Sequence, residues 1–304
     1  MEFGRIEQFD EIDFNLGSTP NISLHFLENL EKNQTKSLYV GGTGWTMPEW
    51  VGSWYPSNTK PKDFLKAYSQ QFNSIECNVT FYQIPNFQTV NKWKSVVPAD
   101  FKFCIKVFQG ISRADDFGES EALFDQFIST ISHLESQIGV IFIQFPNKFS
   151  IKNQLKLMKW LDQLNLNFPL LLEFRHTSWF QQFENNPDFL NFLNQRKMGL
   201  VITDVAGRRD VLHQYIPNDT IMVRFVATNQ PQIDFKRLDD WIDKINHWYS
   251  VGLLNVYFFM HSFDSNFVPV LVQYMIEHSN SKWITNKLTL PTFFENDGKQ
   301  LSLF

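Results

Sequence analysis

Residues 170–179 read LLLEFRHTSW, three leucines that run into Glu173, Arg175 and His176 before Trp179. A short apolar run that stops abruptly in charged side chains has the form of a buried β-strand whose C-terminal end carries chemistry. The same form recurs along the chain, at Leu38–Gly42, Ser74–Asn78, Phe103–Val107, Val140–Phe145, Leu200–Asp204, Ile221–Phe225 and Asn255–His261. Amphipathic stretches separate most of these runs, among them Gln88–Val96, Glu119–Ser136, Gln154–Leu164, Asp188–Arg196, Lys236–Tyr249 and Val268–His278. Strands that alternate with helices pair in parallel, and eight such units close on themselves. The expected fold is therefore α/β, a single (β/α)8 barrel of TIM type. Gly139, Gly199 and Gly252 stand where helices should end, and the Val205–Asp219 connection carries no helical period.

The domain boundaries follow from composition. Residues 1–36 contain an LGSTPN turn and a helix-like run at Ile22–Lys32, and read as an extension packed across one end of the barrel. Residues 37–281 form the barrel, and residues 282–304 a polar C-terminal tail. With 304 residues, 43% hydrophobic and 19% charged, the chain is long enough for a complete barrel, and its 32 phenylalanines suit broad helix–strand interfaces. A net charge of −5 argues against broad, sequence-independent nucleic-acid binding, although a local basic groove is compatible with it. No apolar run reaches the roughly 18–20 residues needed to span a bilayer. No secretory leader is evident, and Cys77 and Cys104 have no CxxC spacing. These features point to a cytoplasmic protein with buried, reduced cysteines and no membrane partner.

In a barrel of this kind the chemistry sits where the strands end. Because side chains alternate along a strand, Glu76 and Asn78 should share a face, as should Glu173 and Arg175. The carboxylates and the imidazole give candidate catalytic groups at Glu76, Glu173, His176 and Asp204. Candidate substrate-binding groups are Asn78, Tyr82, Lys106, Gln144, Arg175, Trp179, Arg224 and His261. Two readings of this charge are open. Glu76, Lys106, Glu173, Arg175, Asp204 and Arg224 carry three positive and three negative charges and could neutralise one another in a structural network. Alternatively, the carboxylates act as acid and base while the cations hold an anionic small molecule or nucleic-acid fragment. Carboxylates without a cofactor motif suit a hydrolase. The GGTGW turn at residues 41–45 lacks the spacing of a nucleotide loop, and reads as either a tight turn or a weak phosphate cradle. Carboxylates and histidines of metal-ligating type are present, but without HxH or HExxH spacing, so a divalent metal is not favoured and no nucleotide cofactor is indicated. Lys106, if desolvated, could form a Schiff base; a salt bridge is the commoner fate of such a residue.

The segments GGTGWTMPEWVGSWYP, FNSIECNVTFYQIP, FKFCIKV, IGVIFIQFPNKF and LLLEFRHTSWF together resemble the family called domain of unknown function 72, or YecE-like proteins. The resemblance runs over residues 37–280 in consistent order. It implies a TIM-type barrel and carries no established reaction. The family pattern Glu-x-Asn-x-Thr-Phe-Tyr falls on Glu76, Asn78, Thr80, Phe81 and Tyr82. The chain departs from the family at GGTGW, at VRFVAT from Arg224 onward at the end of the seventh strand and at YFFMHSF in the eighth, where His261 takes the place of an asparagine as rim donor.

The C-terminal Gln300-Leu301-Ser302-Leu303-Phe304 resembles the pentapeptide by which bacterial polymerases and repair proteins dock into the sliding clamp. Gln300 would supply the polar anchor, while Leu301, Leu303 and Phe304 fill an apolar pocket. The chain would then be an adaptor recruited to replication or repair. The other reading folds these apolar residues back onto the barrel.

Overall fold

A computed structural model describes residues 4, 6–30, 34–113, 121–185, 187–282 and 287–294. Eight strands, β1 (Ser37–Gly41), β2 (Ser74–Cys77), β3 (Lys102–Lys106), β4 (Ile138–Gln144), β5 (Leu170–Glu173), β6 (Gly199–Asp204), β7 (Thr220–Val226) and β8 (Asn255–His261), form one sheet in the order β1-β8-β7-β6-β5-β4-β3-β2. Every ladder is parallel. Each expected strand is present, with ends shifted by at most two residues.

β1 and β2 meet without a regular ladder, and side chains complete the closure. Asn73 Oδ1 accepts from the Val40 amide at 2.8 Å while its Nδ2 donates to Leu38 O at 3.0 Å. The Tyr68 hydroxyl accepts from the Gly42 amide at 2.7 Å and donates to Ser74 O at 3.0 Å. A Cβ on Gly41 would lie 2.0 Å from Ser74 O, so the strands approach this closely only through a glycine. The GGTGW segment is thus a seam-closing turn, with the Gly42 amide already engaged by Tyr68.

The helices are α1 (Asn21–Glu28), α2 (Phe64–Gln71), α3 (Val79–Tyr82), α4 (Phe87–Val96), α5 (Gln109–Ser112), α6 (Glu121–Ile131), α7 (Gln154–Gln163), α8 (Ser178–Asn185), α9 (Asp188–Gln195), α10 (Pro231–Val251) and α11 (Phe267–Lys282). The connection after β6 holds only a 3-10 segment, Ala206–Val211, in keeping with its lack of helical period. Of the three glycines expected at helix ends, only Gly252 (φ 133°) caps one, that of α10. Gly139 and Gly199 lie inside β4 and β6, where neighbours crowd the place of a Cβ: the Tyr257 ring at 2.7 Å and the Leu171 side chain at 2.9 Å respectively.

Two apolar regions hold the fold. The larger lies between sheet and helices, and fully burying each of its phenylalanines contributes roughly 1.5–3 kcal/mol. The smaller fills the lower barrel with Cys104, Val140, Phe142, Leu171, Val201 and Met222, together with Tyr257 and Phe259. Tyr39 stacks on Tyr257 at 4.7 Å in this lumen. Above it, toward the strand C-termini, the lumen turns polar.

The N-terminal extension runs the length of the barrel as a strap. At the C-terminal end of the strands, Gly4 O accepts from the Gly207 amide at 3.0 Å. Along α10, Arg209 donates to the carbonyls of Asp13, Phe14 and Asn15, Lys244 to Gly17 O, and Trp248 to Thr19. At the opposite end α1 seats itself through Ser23, whose hydroxyl accepts from the Ile216 amide at 2.8 Å. At the other terminus, Thr292 exchanges hydrogen bonds with Gln71, and Phe293 packs edge-on against Trp54 at 5.2 Å. Gln300, Leu301, Leu303 and Phe304 lie outside the described residues.

Candidate functional site

The polar layer is built around Arg224 on β7, which is 1% exposed. Its guanidinium makes two forks. Nε and Nη2 donate to Glu76 at 3.0 and 2.8 Å, and Nη1 donates to both oxygens of Glu173 at 3.0 and 2.8 Å. Glu173 accepts in addition from Arg175 Nε at 2.9 Å, Gln144 Nε2 at 2.7 Å and Thr203 Oγ1 at 3.1 Å. Glu76 accepts from Asn78 Nδ2 at 2.8 Å and His261 Nε2 at 2.9 Å. Both carboxylates are therefore saturated with donors. Burial by itself would raise their pKa values, but the arginines outweigh it. Glu173 is held down at about 2 by Arg224, Arg175 and Lys106, and Glu76 well below the usual carboxylate range by Arg224 and His261.

Lys106 lies in the same layer. Its Nζ donates to Gln144 Oε1 at 3.0 Å and sits 4.1 Å from the centre of the Phe81 ring. Glu173 fixes the Gln144 amide with its nitrogen toward the carboxylate, so the oxygen is what Lys106 meets. Among the described residues no carboxylate comes within ion-pair distance of Lys106. Desolvation, reinforced by repulsion from Arg224, brings its pKa down to about 8 despite the pull of Glu173 and Glu76.

Asp204 is a correction to the sequence reading. It was expected in this layer as a catalytic carboxylate, but it points the opposite way. In the ladder Thr203 lies beside Arg224 and Asp204 beside Phe225, so Thr203 faces the lumen and Asp204 faces α10. There Asp204 pairs with Arg209 and with Arg237 Nη2 at 3.0 Å, and accepts from Trp241 Nε1 at 2.7 Å. Arg237 also meets Asp234 at 2.9 Å. The lumen layer, having lost Asp204, carries three cations (Lys106, Arg175, Arg224) against two carboxylates.

Three further expected site residues make no hydrogen bond into this layer among the described residues. Trp179 is fully buried in the helix layer, stacked on Phe174 at 3.9 Å with its Nε1 donating to Phe149 O. Substrate cannot reach that ring. Tyr82 is 70% exposed on α3 and packs edge-on against Phe81. His176 is half-buried, and its Nδ1 accepts from the Ser178 amide at the start of α8, a local turn contact. Thr203 was missed; nothing in GLVITD marks which face is the lumen, because both faces are apolar.

His261 closes the layer at the end of β8. A carboxylate can only accept, so the proton of this hydrogen bond lies on Nε2 of the imidazole. Desolvation keeps the ring below its ordinary pKa, the pull of Glu76 notwithstanding. His261 also lines a cavity of about 130 Å³, roofed by Gly4, Ile6 and Phe9 of the strap and walled by Val205 and Val226. Among the described residues, Nδ1 of His261 has no hydrogen-bond partner.

No three His, Cys, Asp or Glu side chains gather as a metal-binding group among the described residues. The two lumen carboxylates that could ligate an ion are already taken up by Arg224. Cys77 and Cys104 are buried free thiols, with burial pushing Cys77 up to about 12. Among the described residues no helix is long and apolar enough to cross a membrane.

Comparison with known proteins places this architecture. The chain is 26% identical over 272 residues to the UPF0759 protein YecE of Escherichia coli K12, covering 84% of this chain and 94% of that protein. It is 33% identical over 150 residues to the UPF0759 protein YunF of Bacillus subtilis, covering 47% of this chain and 52% of that one. A crystal structure of a DUF72 family protein from Thermotoga maritima matches with a TM-score of 0.62 at 22% identity, over 80% of this chain and 99% of that one. Another from Enterococcus faecalis matches with a TM-score of 0.61 at 18% identity, over 81% of this chain and 98% of that one. The model for the protein of unknown function DUF72 matches residues 39–292, and the chain belongs to that family.

Proposed function

We propose that the chain is an acid–base enzyme, hydrolase-like, acting on an anionic small molecule or nucleic-acid fragment, with His261 as the general base. One observation carries this reading: the 2.9 Å hydrogen bond from His261 Nε2 to a Glu76 carboxylate that Arg224 locks in its ionised form. An imidazole held in one tautomer by a carboxylate presents its other nitrogen as a proton acceptor. Here that nitrogen is Nδ1, and the ring is neutral at pH 7. Water whose proton passes to Nδ1 becomes the nucleophile on an ester or amide bond, and the protonated ring can return that proton to the leaving group.

The remaining residues divide the work differently from the sequence expectation. Glu76 and Glu173 are saturated with donors and held ionised, so neither suits proton transfer. Glu76 positions His261. Glu173 orients Gln144 and Arg175. Lys106 and Arg175 give this end of the barrel its surplus positive charge and hold the anionic group, with Gln144 and Asn78 as polar neighbours.

The test is a panel of chromogenic esters (p-nitrophenyl phosphate, bis(p-nitrophenyl) phosphate and p-nitrophenyl acetate) assayed with the native chain and with His261→Gln. The expected result is turnover of at least one ester that falls by about 10²–10⁴-fold in the variant with an unchanged melting temperature. Turnover that survives the substitution would remove His261 from the reaction.

A further inference from the structure

The cavity beside His261 differs in character from the charged layer it adjoins. Ile6 and Phe9 lie above it and Val205, Val226, Ala227 and Phe263 around it, interleaved with the polar but uncharged Thr43, Thr228 and Ser262 and with His261; among the described residues no Asp, Glu, Lys or Arg lines it. Two of its hydroxyls are engaged within their own loops. Thr228 Oγ1 accepts from the Gln230 amide, and Ser262 Oγ accepts from Asn229 Nδ2 while its one proton lies between Asn229 Oδ1 and Asp264 O. Among the described residues, His261 and Thr43 are left as the side chains able to take a ligand's hydrogen bond. At about 130 Å³ the cavity approaches the roughly 150 Å³ void that accommodates benzene in another protein. With no Asp, Glu, Lys or Arg among the described lining residues, a charge placed here would be desolvated without an ion-pair partner.

We propose that this strap-roofed cavity is a binding compartment for a compact, uncharged and largely apolar group of about benzene size, carrying one O–H or N–H toward Nδ1 of His261. Resting on the catalytic reading above, the inference narrows the substrate class to a two-part molecule: an anionic moiety for Lys106 and Arg175 joined to a small apolar moiety for this cavity. The strap then serves as a wall of the specificity pocket, since Ile6 and Phe9 close the side that the barrel leaves open.

Phenol is a suitable probe, with benzoate as its charged counterpart. In a methyl NMR titration of the full chain, phenol should give saturable shifts at Ile6, Val205 and Val226 in the millimolar range. Benzoate should bind at least about tenfold more weakly, because its carboxylate finds no Lys or Arg among the described residues that line this compartment. Ala227→Phe should fill the space and abolish the shifts; Ala206→Phe serves the same purpose if the first variant fails to fold. Absence of saturable shifts in the native chain, shifts that persist in a folded filled variant, or benzoate binding as well as phenol would each overturn the proposal. The two readings fail separately. A phenol site in a protein whose His261→Gln variant keeps full turnover contradicts the catalytic role alone, whereas His261-dependent turnover without a phenol site contradicts this compartment alone.

Discussion

Two buried charge clusters lie back to back across β6 and β7, one inside the barrel and one beneath α10. The outer cluster sets Asp204 and Asp234 against Arg209 and Arg237, balanced in number, and its contacts join elements: β6 to α10 through Asp204, Arg237 and Trp241, and both to the strap through Arg209. The inner cluster has a cation in excess and includes an imidazole that reaches a cavity. Burying ions costs several kcal/mol each unless partners and geometry compensate. The outer cluster meets that condition at Asp204, which Arg237 and Arg209 hold below its ordinary pKa against the cost of burial, and it welds the fold; burial raises Asp234, and Arg237 Nε has no hydrogen-bond partner among the described residues. The inner one meets it for Glu76, Glu173 and Arg224 and leaves Lys106 facing an amide oxygen and the Phe81 ring, with no carboxylate in ion-pair distance among the described residues. A group left partly uncompensated in a protein interior is a functional candidate, whereas charge alone is not.

The largest effect should come from the centre of the inner cluster. Arg224→Met strands two buried carboxylates and should lower stability by about 3–5 kcal/mol at pH 7 in urea unfolding. The deficit should shrink toward pH 4 as the carboxylates take up protons. In the native chain the sign is the reverse. Glu173 has its pKa depressed to about 2, so its contribution is complete above the unfolded value of 4.5 and fades as pH falls toward 2. A pH-independent loss in Arg224→Met would break the view of Arg224 as a clamp on ionised carboxylates.

Asp204→Asn should cost less, about 2–3 kcal/mol, because Asp234 still pairs with Arg237 and Arg209 is partly exposed. It should leave His261-dependent turnover unchanged. A fall in turnover to the level of His261→Gln would erase the division between the two clusters.

Lys106→Met gives the smallest change in stability and the clearest sign of function. Removing a buried cation without a carboxylate partner should leave stability unchanged or raise it by up to about 1 kcal/mol. Binding of inorganic phosphate, measured by calorimetry, should weaken by about tenfold. Lys106 has its pKa lowered to about 8 against an ordinary 10.5, so the unfolded chain binds more protons between those values. The native chain should therefore gain stability relative to Lys106→Met as pH rises through that window.

The barrel was legible because each strand announces itself twice, by its apolar run and by the polar residue that ends it. Side-chain alternation then placed Glu76 with Asn78 and Glu173 with Arg175, and those pairs are in contact. Alternation failed at β6, where Gly199–Asp204 is buried on both faces and its pattern cannot say whether Thr203 or Asp204 looks inward. Only the ladder to β7 decides it. Trp179 was misplaced for a related reason: it follows the strand end in sequence, but the turn through His176 carries it into the aromatic layer. The strap's part in the cavity had no local signal at all. Ile6 and Phe9 reach His261 only because the extension crosses the strand ends before running down α10.

The central claim is that His261 is neutral at pH 7 with its proton on Nε2, leaving Nδ1 as an acceptor in the cavity. Long-range ¹H–¹⁵N NMR of the imidazole, followed from pH 5 to pH 8, reads this directly. The account predicts the Nε2–H tautomer at pH 7, a pKa below 6.5, and loss of the fixed tautomer in Glu76→Gln. A ring protonated at pH 7, or one carrying its proton on Nδ1, would contradict it.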